Sequence, residues 1–366
     1  MRRSNVFIAP VDAGVLLACG ALLAVGLTAL HSVSLAANVN WVGKQLVAVI
    51  TAAAAMAMVF CCSLSSLRRQ AKLLMILVLT LLAAVFLFEP RNGAHRWLGG
   101  GGLSLQPAEL CKWTLLLLTA SYASRPQFKR HAIKFVFPIL GWAIPTLGLI
   151  ILQPDFGTLV LLSLVVLSVL FLSGFDLRAV MALFAIFLII LIVLLLTEPY
   201  RMQRLVSFVD PFNAAGGYNQ KHAIIAFVQG GLWGRGIGRS IEKWGYLPES
   251  HNDFIISIIA EETGLLGLLI VCALIALLVM KAINIARRAE ERGEIFGALY
   301  AFGFAVLVTT QSAINICGNL ALLPSKGFTL PLVSYGGSSL LSMGLLVGVL
   351  LRIDFENRRE QRGGGT

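Results

Sequence analysis

The sequence predicts an all-α protein that crosses a membrane about ten times, with a large outer loop between the seventh and eighth helices. Three observations predict it. Hydrophobic residues make up 58% of the chain and charged residues only 13%, whereas ordinary globular domains are roughly a quarter charged. Mean hydropathy is +0.85. Uncharged runs recur at near-membrane length, and in lipid only a helix or a closed barrel satisfies its own backbone polar groups. These runs are far longer than the ~10-residue alternating segments of a barrel.

The spans fall at 12–31, 43–63, 72–88, 107–123, 134–152, 158–173, 178–197, 254–280, 296–317 and 328–351. Most approach the ~20 residues needed to cross the hydrocarbon core. Arg2 and Arg3 before the first run, and Ser34-Leu35-Ala36 after it, imitate a secretory signal and its cleavage site. The run is long for a signal and further spans follow, so it reads as a retained first helix. Pro138, Pro145 and Pro154 interrupt the fifth and sixth spans. In the tenth, Gly344 and Gly348 form a small-xxx-small pair suited to close helix packing. Residues 1–352 therefore read as one transmembrane domain, and the charged, then Gly-rich tail 353–366 is expected to be mobile.

The formal net charge of +11 is a matter of topology. With the N-terminus inside, the inner segments collect Arg68, Arg69, Lys72, Arg125, Lys129, Arg130, Lys281, Arg287, Arg288, Arg352 and Arg358 among others. The short outer loops hold Lys44, Arg91, Arg96 and Lys326. Cytoplasmic loops carry the excess of Lys and Arg, so both termini are expected in the cytoplasm and no nucleic-acid partner is needed. The six cysteines all sit in apolar spans, where Cys behaves as a small hydrophobe, and no disulfide framework is expected. The five histidines show no metal-ligand spacing.

The polar loop 198–253 is where chemistry would concentrate, since long ordered loops are commonly functional. Met202, Leu205, Val206 and Val209 recur at helical spacing with Arg201 and Arg204 on another face, which suits a short helix lying in the membrane interface and equally one packed on the bundle. Arg201, Arg204, Lys221, Arg235, Arg239 and Lys243 would meet either phosphates or anionic lipid head groups. Gly230, Gly231, Gly234, Gly236 and Gly238 follow no strand, so they read as tight turns rather than a nucleotide-binding loop.

At the loop's end, Tyr246 to Phe254 carries Asp253 to the mouth of the eighth span. Two readings stand side by side. Partial desolvation there raises a carboxylate's pKa and suits it to act as a base; equally, an aspartate just ahead of a helix caps it. Glu261 and Glu262 lie two turns deeper, where ionisable groups mark a site or an internal pair. Gln106-Pro107-Ala108-Glu109 opens the fourth span, with Glu109 and Lys112 spaced to share a helix face as an ion pair. Gln153-Pro154-Asp155 repeats the arrangement before the sixth.

Taken in order, these segments resemble one family. They are Asn92-Gly93-Ala94-His95-Arg96-Trp97, Gln106 to Glu109 with Lys112, Gln153 to Thr158, Asp210-Pro211, Gly230-Gly231, Leu247-Pro248-Glu249-Ser250-His251-Asn252-Asp253-Phe254, Glu261-Glu262 with Gly264, Leu323 to Pro331, and Ser334-Tyr335-Gly336-Gly337-Ser338-Ser339. Their order and spacing resemble the shape, elongation, division and sporulation (SEDS) family over nearly the whole chain. Lys326 to Pro331 and the ending Leu351 to Glu356 look like its division branch; the elongation branch usually has Pro where Thr329 stands. Family members commonly carry Ser in place of Ala108 and Thr in place of Asn252. Neither departure removes a titratable group, though the second alters the surroundings of Asp253.

The resemblance implies a peptidoglycan glycosyltransferase that polymerises lipid II, the undecaprenyl-diphosphate-linked disaccharide peptide, at the outer face of the cytoplasmic membrane during septal synthesis. It implies that Asp253 is the general base that deprotonates the acceptor's 4-hydroxyl. That oxygen attacks C1 of the donor and displaces undecaprenyl diphosphate, giving a β-1,4 bond with inversion. A divalent cation, Mg or Mn, with Asp253 as a ligand is compatible with charge building on the leaving group. Glu109, Lys112, Gln106, Arg96, Asp155, Arg201, Arg204, His251, Glu249, Glu261, Lys326 and Ser334 are expected to bind substrate or support the site. Implied partners are a class B penicillin-binding protein, whose helix would lie against the eighth and ninth spans, and other division proteins. Competing readings are a lipid II flippase and a non-catalytic division scaffold. A flippase would place its site at the membrane midplane within repeated halves, and a scaffold leaves the Asp253 segment unexplained.

Overall fold

The computed structural model describes residues 11–90, 93–99, 104–125, 132–197, 208, 210, 217–324 and 327–363. It is a bundle of helices: α1 Ala13–Ala37, α2 Trp41–Cys61, α3 Leu64–Ala84, α4 Pro107–Ala123, α5 Ala132–Leu152, α6 Phe156–Leu172, α7 Leu177–Thr197, α8 Tyr218–Gly230, α9 Ile255–Glu291, α10 Ile295–Asn319 and α11 Gly337–Gly363. Seven of these (α1, α2, α3, α7, α9, α10 and α11) are long and apolar enough to cross a membrane. The shorter α5 and α6 are also apolar. α4 runs from one end of the bundle to the other: the Gln106 N–H bonds Ser338 at the start of α11, and Ser121 bonds the Arg68 carbonyl at the start of α3. The protein is a multi-pass helical membrane protein.

Local sequence sets the boundaries. Asp12, Asn40, Ser63 and Asp155 each cap the helix that follows by accepting a backbone N–H, the orphan donors that every helix start exposes. Pro138 and Pro145 lie inside a continuous α5. Packing follows residue size. A Cβ on Gly344 or Gly348 would strike the backbone of Ala52 or Met56, so these glycines let α11 lie directly on α2, as their spacing predicts. α7 sits at the periphery with Val180 its one buried residue.

Three expectations need correction. The last span does not begin at 328. Residues 327–336 are non-helical and α11 starts at Gly337, because Pro331 and the hydrogen bonds described below hold this segment open. The tail read as mobile continues α11 as far as Gly363. Asp354, fully buried, accepts from the Asp12 N–H at 2.8 Å and from Arg358 at 2.8 Å, and Arg358 reaches Asp12 at 3.1 Å. Lys281 and Arg288 complete this cluster, which ties the first and last helices together. Finally, the helix preceded by Asp253 has Phe254 as its cap residue, with no side-chain cap bond. The segment 201–209, read as an interfacial helix, lies outside the fully described residues.

The glycine-rich part of the outer loop is built onto a kink. Within α9, Gly264 adopts φ 69° and ψ −164°, a conformation open essentially to glycine alone. The break lets the Gly231 carbonyl accept from the Leu265 N–H at 2.9 Å, while the N–H groups of Arg235 and Gly236 donate to the carbonyls of Glu261 and Glu262 at 3.0 Å each. Any side chain on Gly264 would collide with the backbone of Leu232 and Gly234. Gly264→Ala is therefore expected to cost at least ~1–3 kcal/mol from backbone strain alone, read as a lowered thermal unfolding midpoint in detergent.

Candidate active site

The turn holding Asp253 is fixed by its main chain. Glu249, at φ 54°, offers its carbonyl to the N–H groups of Asn252 and Phe254. The carbonyls of His251, Asn252 and Asp253 are taken by two elements, the 327–336 segment and α10. His251 O accepts from the Tyr335 N–H at 3.1 Å, and Asn252 O from Ser334 Oγ at 2.7 Å. Asp253 O accepts from both Asn315 Nδ2 and Asn319 Nδ2 at 3.0 Å. Asn319 is itself held by Ser257 at 2.8 Å. The carboxylate is left half-buried, facing Gly327, where an added Cβ would stand 3.0 Å from Oδ2.

Gln311, Asn315 and Asn319 recur every four residues, so they line one face of α10. Asn315 also donates to the Phe328 carbonyl, and Gln311 Nε2 donates to the Thr329 carbonyl at 2.9 Å. Gln45 grips the same segment from α2, donating to Ser334 O at 3.0 Å and accepting from the Gly336 N–H at 3.2 Å. This is why residues 327–336 do not fold into helix: their backbone groups are satisfied by side chains instead.

From Gln311 the polar seam passes to α4. Lys112 Nζ donates to Gln311 Oε1 at 3.0 Å and to both oxygens of Glu109 at 2.7 Å. Both charges are buried, with Lys112 1% and Glu109 7% exposed. Lys112 Nζ also lies 5.9 Å from the centre of the Phe328 ring, whose edge fits against Gly157 for want of a side chain there. The ring thus links the Asp155 turn to the site. Asp155 itself is spent on Thr158, accepting its N–H at 3.2 Å and its hydroxyl at 2.8 Å. Arg96 donates to the carbonyls of Gln153 and Pro154, and Gln106 joins through its backbone to Ser338.

The structure thus brings Asp253, His251, Ser334, Glu109, Lys112 and Gln106 around the segment 327–338, with Asp155 and Arg96 one residue layer away. Glu261 stands apart. Its oxygens accept from Ser240 Oγ and from the N–H groups of Ile241 at 2.7 Å and Glu242 at 3.3 Å. Glu262 accepts from Ser32 and pairs with Lys243 at 3.3 Å. Lys243 is accordingly buried rather than offered to phosphate, and the two glutamates pin the loop onto α9. Arg201, Arg204 and Lys326 lie outside the described residues. Sequence reasoning missed Gln45, Gln311, Asn315 and Asn319; three amides at four-residue intervals in an apolar span were the available signal.

His251 stacks on Trp41, ring centres 4.1 Å apart and 8° from parallel. Burial holds its ring below the ordinary histidine pKa, while Glu249, 3.7 Å away, pulls the other way. The unfolded chain therefore takes up this proton before the folded protein does. Stability should rise with pH across the window from the folded value to about 6.5 and fall as the solution is acidified through it. Unfolding midpoints measured from pH 7.5 to 5 should decline less in His251→Gln.

Among the described residues no three His, Cys, Asp or Glu side chains converge as a metal cage. Asn252, the preceding residue, and Asn315, which holds the Asp253 carbonyl, each keep a buried amide oxygen with no hydrogen-bond partner among the described residues. One carboxylate with neutral oxygens fits a hard cation that takes its remaining ligands from substrate phosphates and water.

A buried ion pair and amide stripe leading to a carboxylate at a helix mouth define a membrane-embedded enzyme-type site within a multi-pass helical bundle. The chain belongs to the FtsW/RodA/SpoVE cell cycle protein family, whose model matches residues 13–359. It is similar to the probable peptidoglycan glycosyltransferase FtsW of Nitrosomonas europaea, at 40% identity over 275 residues, covering 74% of this chain and 71% of that one. The protein of the same description from Dichelobacter nodosus is 36% identical over 370 residues, covering 95% and 91%. Among solved structures, a chain of a peptidoglycan synthase complex superposes with TM-score 0.78 at 27% identity, covering 95% of this chain and 98% of that one. The rod shape determining protein RodA of Thermus thermophilus does so with TM-score 0.70 at 27% identity, covering 94% and 96%.

Proposed function

We propose that this protein is a peptidoglycan glycosyltransferase of the division type. It polymerises lipid II into β-1,4 glycan at the outer face of the cytoplasmic membrane, with both termini in the cytoplasm and its work at the septum. The observation that carries the reading is the Asp253 turn, locked by three consecutive carbonyls while its carboxylate faces the glycine of a segment held open by amides. The names of the relatives support the reaction class.

In this reading Asp253 takes the proton from the acceptor hydroxyl as its oxygen attacks the donor's anomeric carbon and the C–O bond to the lipid diphosphate breaks. The electron pair leaves on the diphosphate. A single base suffices for an inverting displacement; a retaining path would need a second carboxylate about 5–5.5 Å away. Glu109, Lys112, Gln311 and Asn315 position the 327–330 segment against the turn. A divalent cation, held by Asp253 and the substrate's diphosphate, would neutralise charge on the leaving group. Resemblance to a chain of a peptidoglycan synthase complex supports a penicillin-binding protein partner.

The deciding experiment supplies lipid II in detergent, where no two sides exist to cross, to the purified protein with and without a class B transpeptidase. Glycan polymer is the expected product. Failure to extend chains with any division transpeptidase, alongside lipid II translocation in vesicles, would transfer the reading to a flippase.

A further inference from the structure

The loop following α8 is turned inside out relative to a loop in water. Ser240, Glu242 and Lys243 are buried, and their polar groups are consumed internally. Glu242 meets His222 at 2.8 Å, and Lys243 meets Glu262, Ser32 at 2.7 Å and the Gly238 carbonyl. The apolar residues facing outward are Leu232 at 62%, Trp233 at 78%, Ile237 at 67% and Trp244 at 65% exposure, with Ile241 beside them, and Arg235 and Arg239 are the charges exposed among them. A soluble loop hides its apolar residues and shows its charges; a contiguous apolar patch marks a protein partner or a membrane.

Register favours the membrane. The N–H groups of Leu265 and Leu266 donate to the carbonyls of Gly231 and Leu232 at 2.9 and 3.4 Å, so the patch begins level with the first residues of α9 beyond the Gly264 kink. From there the outward face of α9 is apolar through Leu265, Leu266, Leu269 and Ile270, all exposed. Its next charged residue is Lys281. At ~1.5 Å per residue, Gly264 to Lys281 spans about 25 Å, close to the ~30 Å hydrocarbon thickness. With Lys281 at one boundary, Gly264 falls near the other, and the patch continues the lipid-facing surface at that depth. Tryptophans belong at this boundary, and the exposed Arg235 and Arg239 flank them where lipid phosphates lie.

We infer that residues 231–246 are seated in the lipid leaflet beside the site, with Trp233, Ile237, Ile241 and Trp244 at the acyl boundary and Arg235 and Arg239 among the head groups. The seat fixes the height of the loop that ends in Asp253 relative to lipid-borne molecules, and it stands independently of the reaction assigned to that residue.

Tryptophan fluorescence tests it in the full-length protein reconstituted into phosphatidylcholine–phosphatidylglycerol vesicles. The emission removed by the double substitution Trp233→Phe/Trp244→Phe isolates these two rings, and phenylalanine keeps the patch apolar. That difference emission should be quenched at least twofold when the lipids carry bromine high on their acyl chains, and little by aqueous iodide. Quenching by iodide with no effect of brominated chains would overturn the seat and leave the patch to a second protein.

Discussion

Asp253→Asn should lower the rate of glycan polymerisation from lipid II by a factor on the order of 10²–10⁴, the span assigned to a positioned general base. The amide is the same size as the carboxylate and still accepts hydrogen bonds, but it takes no proton near neutral pH. The turn should survive, because its contacts with Asn315 and Asn319 run through the main-chain carbonyl of Asp253, which the substitution leaves in place. The discriminating pattern is an unfolding midpoint within a degree or two of the parent beside collapsed turnover. Wild-type turnover in the variant would remove Asp253 from the reaction.

The second large effect is structural. Lys112→Met should destabilise the protein by about 3–5 kcal/mol, because it strands the Glu109 carboxylate in a buried position with its cation gone. Both Glu109 oxygens lie 2.7 Å from the ammonium, and the surrounding bundle excludes water. Adding Glu109→Gln should recover most of the loss, since removing both charges costs far less than orphaning one. Unfolding of the single and double variants in mixed micelles measures the coupling; additive losses would show that the pair contributes little. Glycan synthesis should fall in the single variant as well, since Lys112 also steadies Gln311, which grips Thr329.

The crossing helices were legible because lipid leaves the backbone few choices, so uncharged runs report them directly. Gly344 and Gly348 told of a close helix contact for a similar reason: nothing but their size matters there. The start of α11 was misread because Phe328 to Val333 is as apolar as a span. What keeps it from helix is a set of amides on α2 and α10, distant along the chain. The tail was misread in the same way. Asp354 and Arg358 look like ordinary solvated charges until Asp12 is brought beside them across 342 residues of sequence. Asp253 stood out as a candidate because an acid at a helix mouth is conspicuous, and the family resemblance pointed to the same residue. Asn315 and Asn319, which fix that acid, carry no charge and act through backbone atoms, so composition alone does not distinguish them from spacers.

Every residue of α4 except Leu110 is buried, and this has a bearing on how the chain is made. Glu109 and Lys112 lie in the first turns of α4 and neutralise each other within it, but ionisable groups in a membrane helix still call for polar partners inside the bundle. The partner of Lys112, Gln311, emerges from the ribosome 199 residues later. The contacts that bury this end of α4, from Gln311 on α10 and Ser342 on α11, can form only after those helices have been synthesised. The polar seam at the heart of the bundle is thus completed by the last helices of the chain rather than the first.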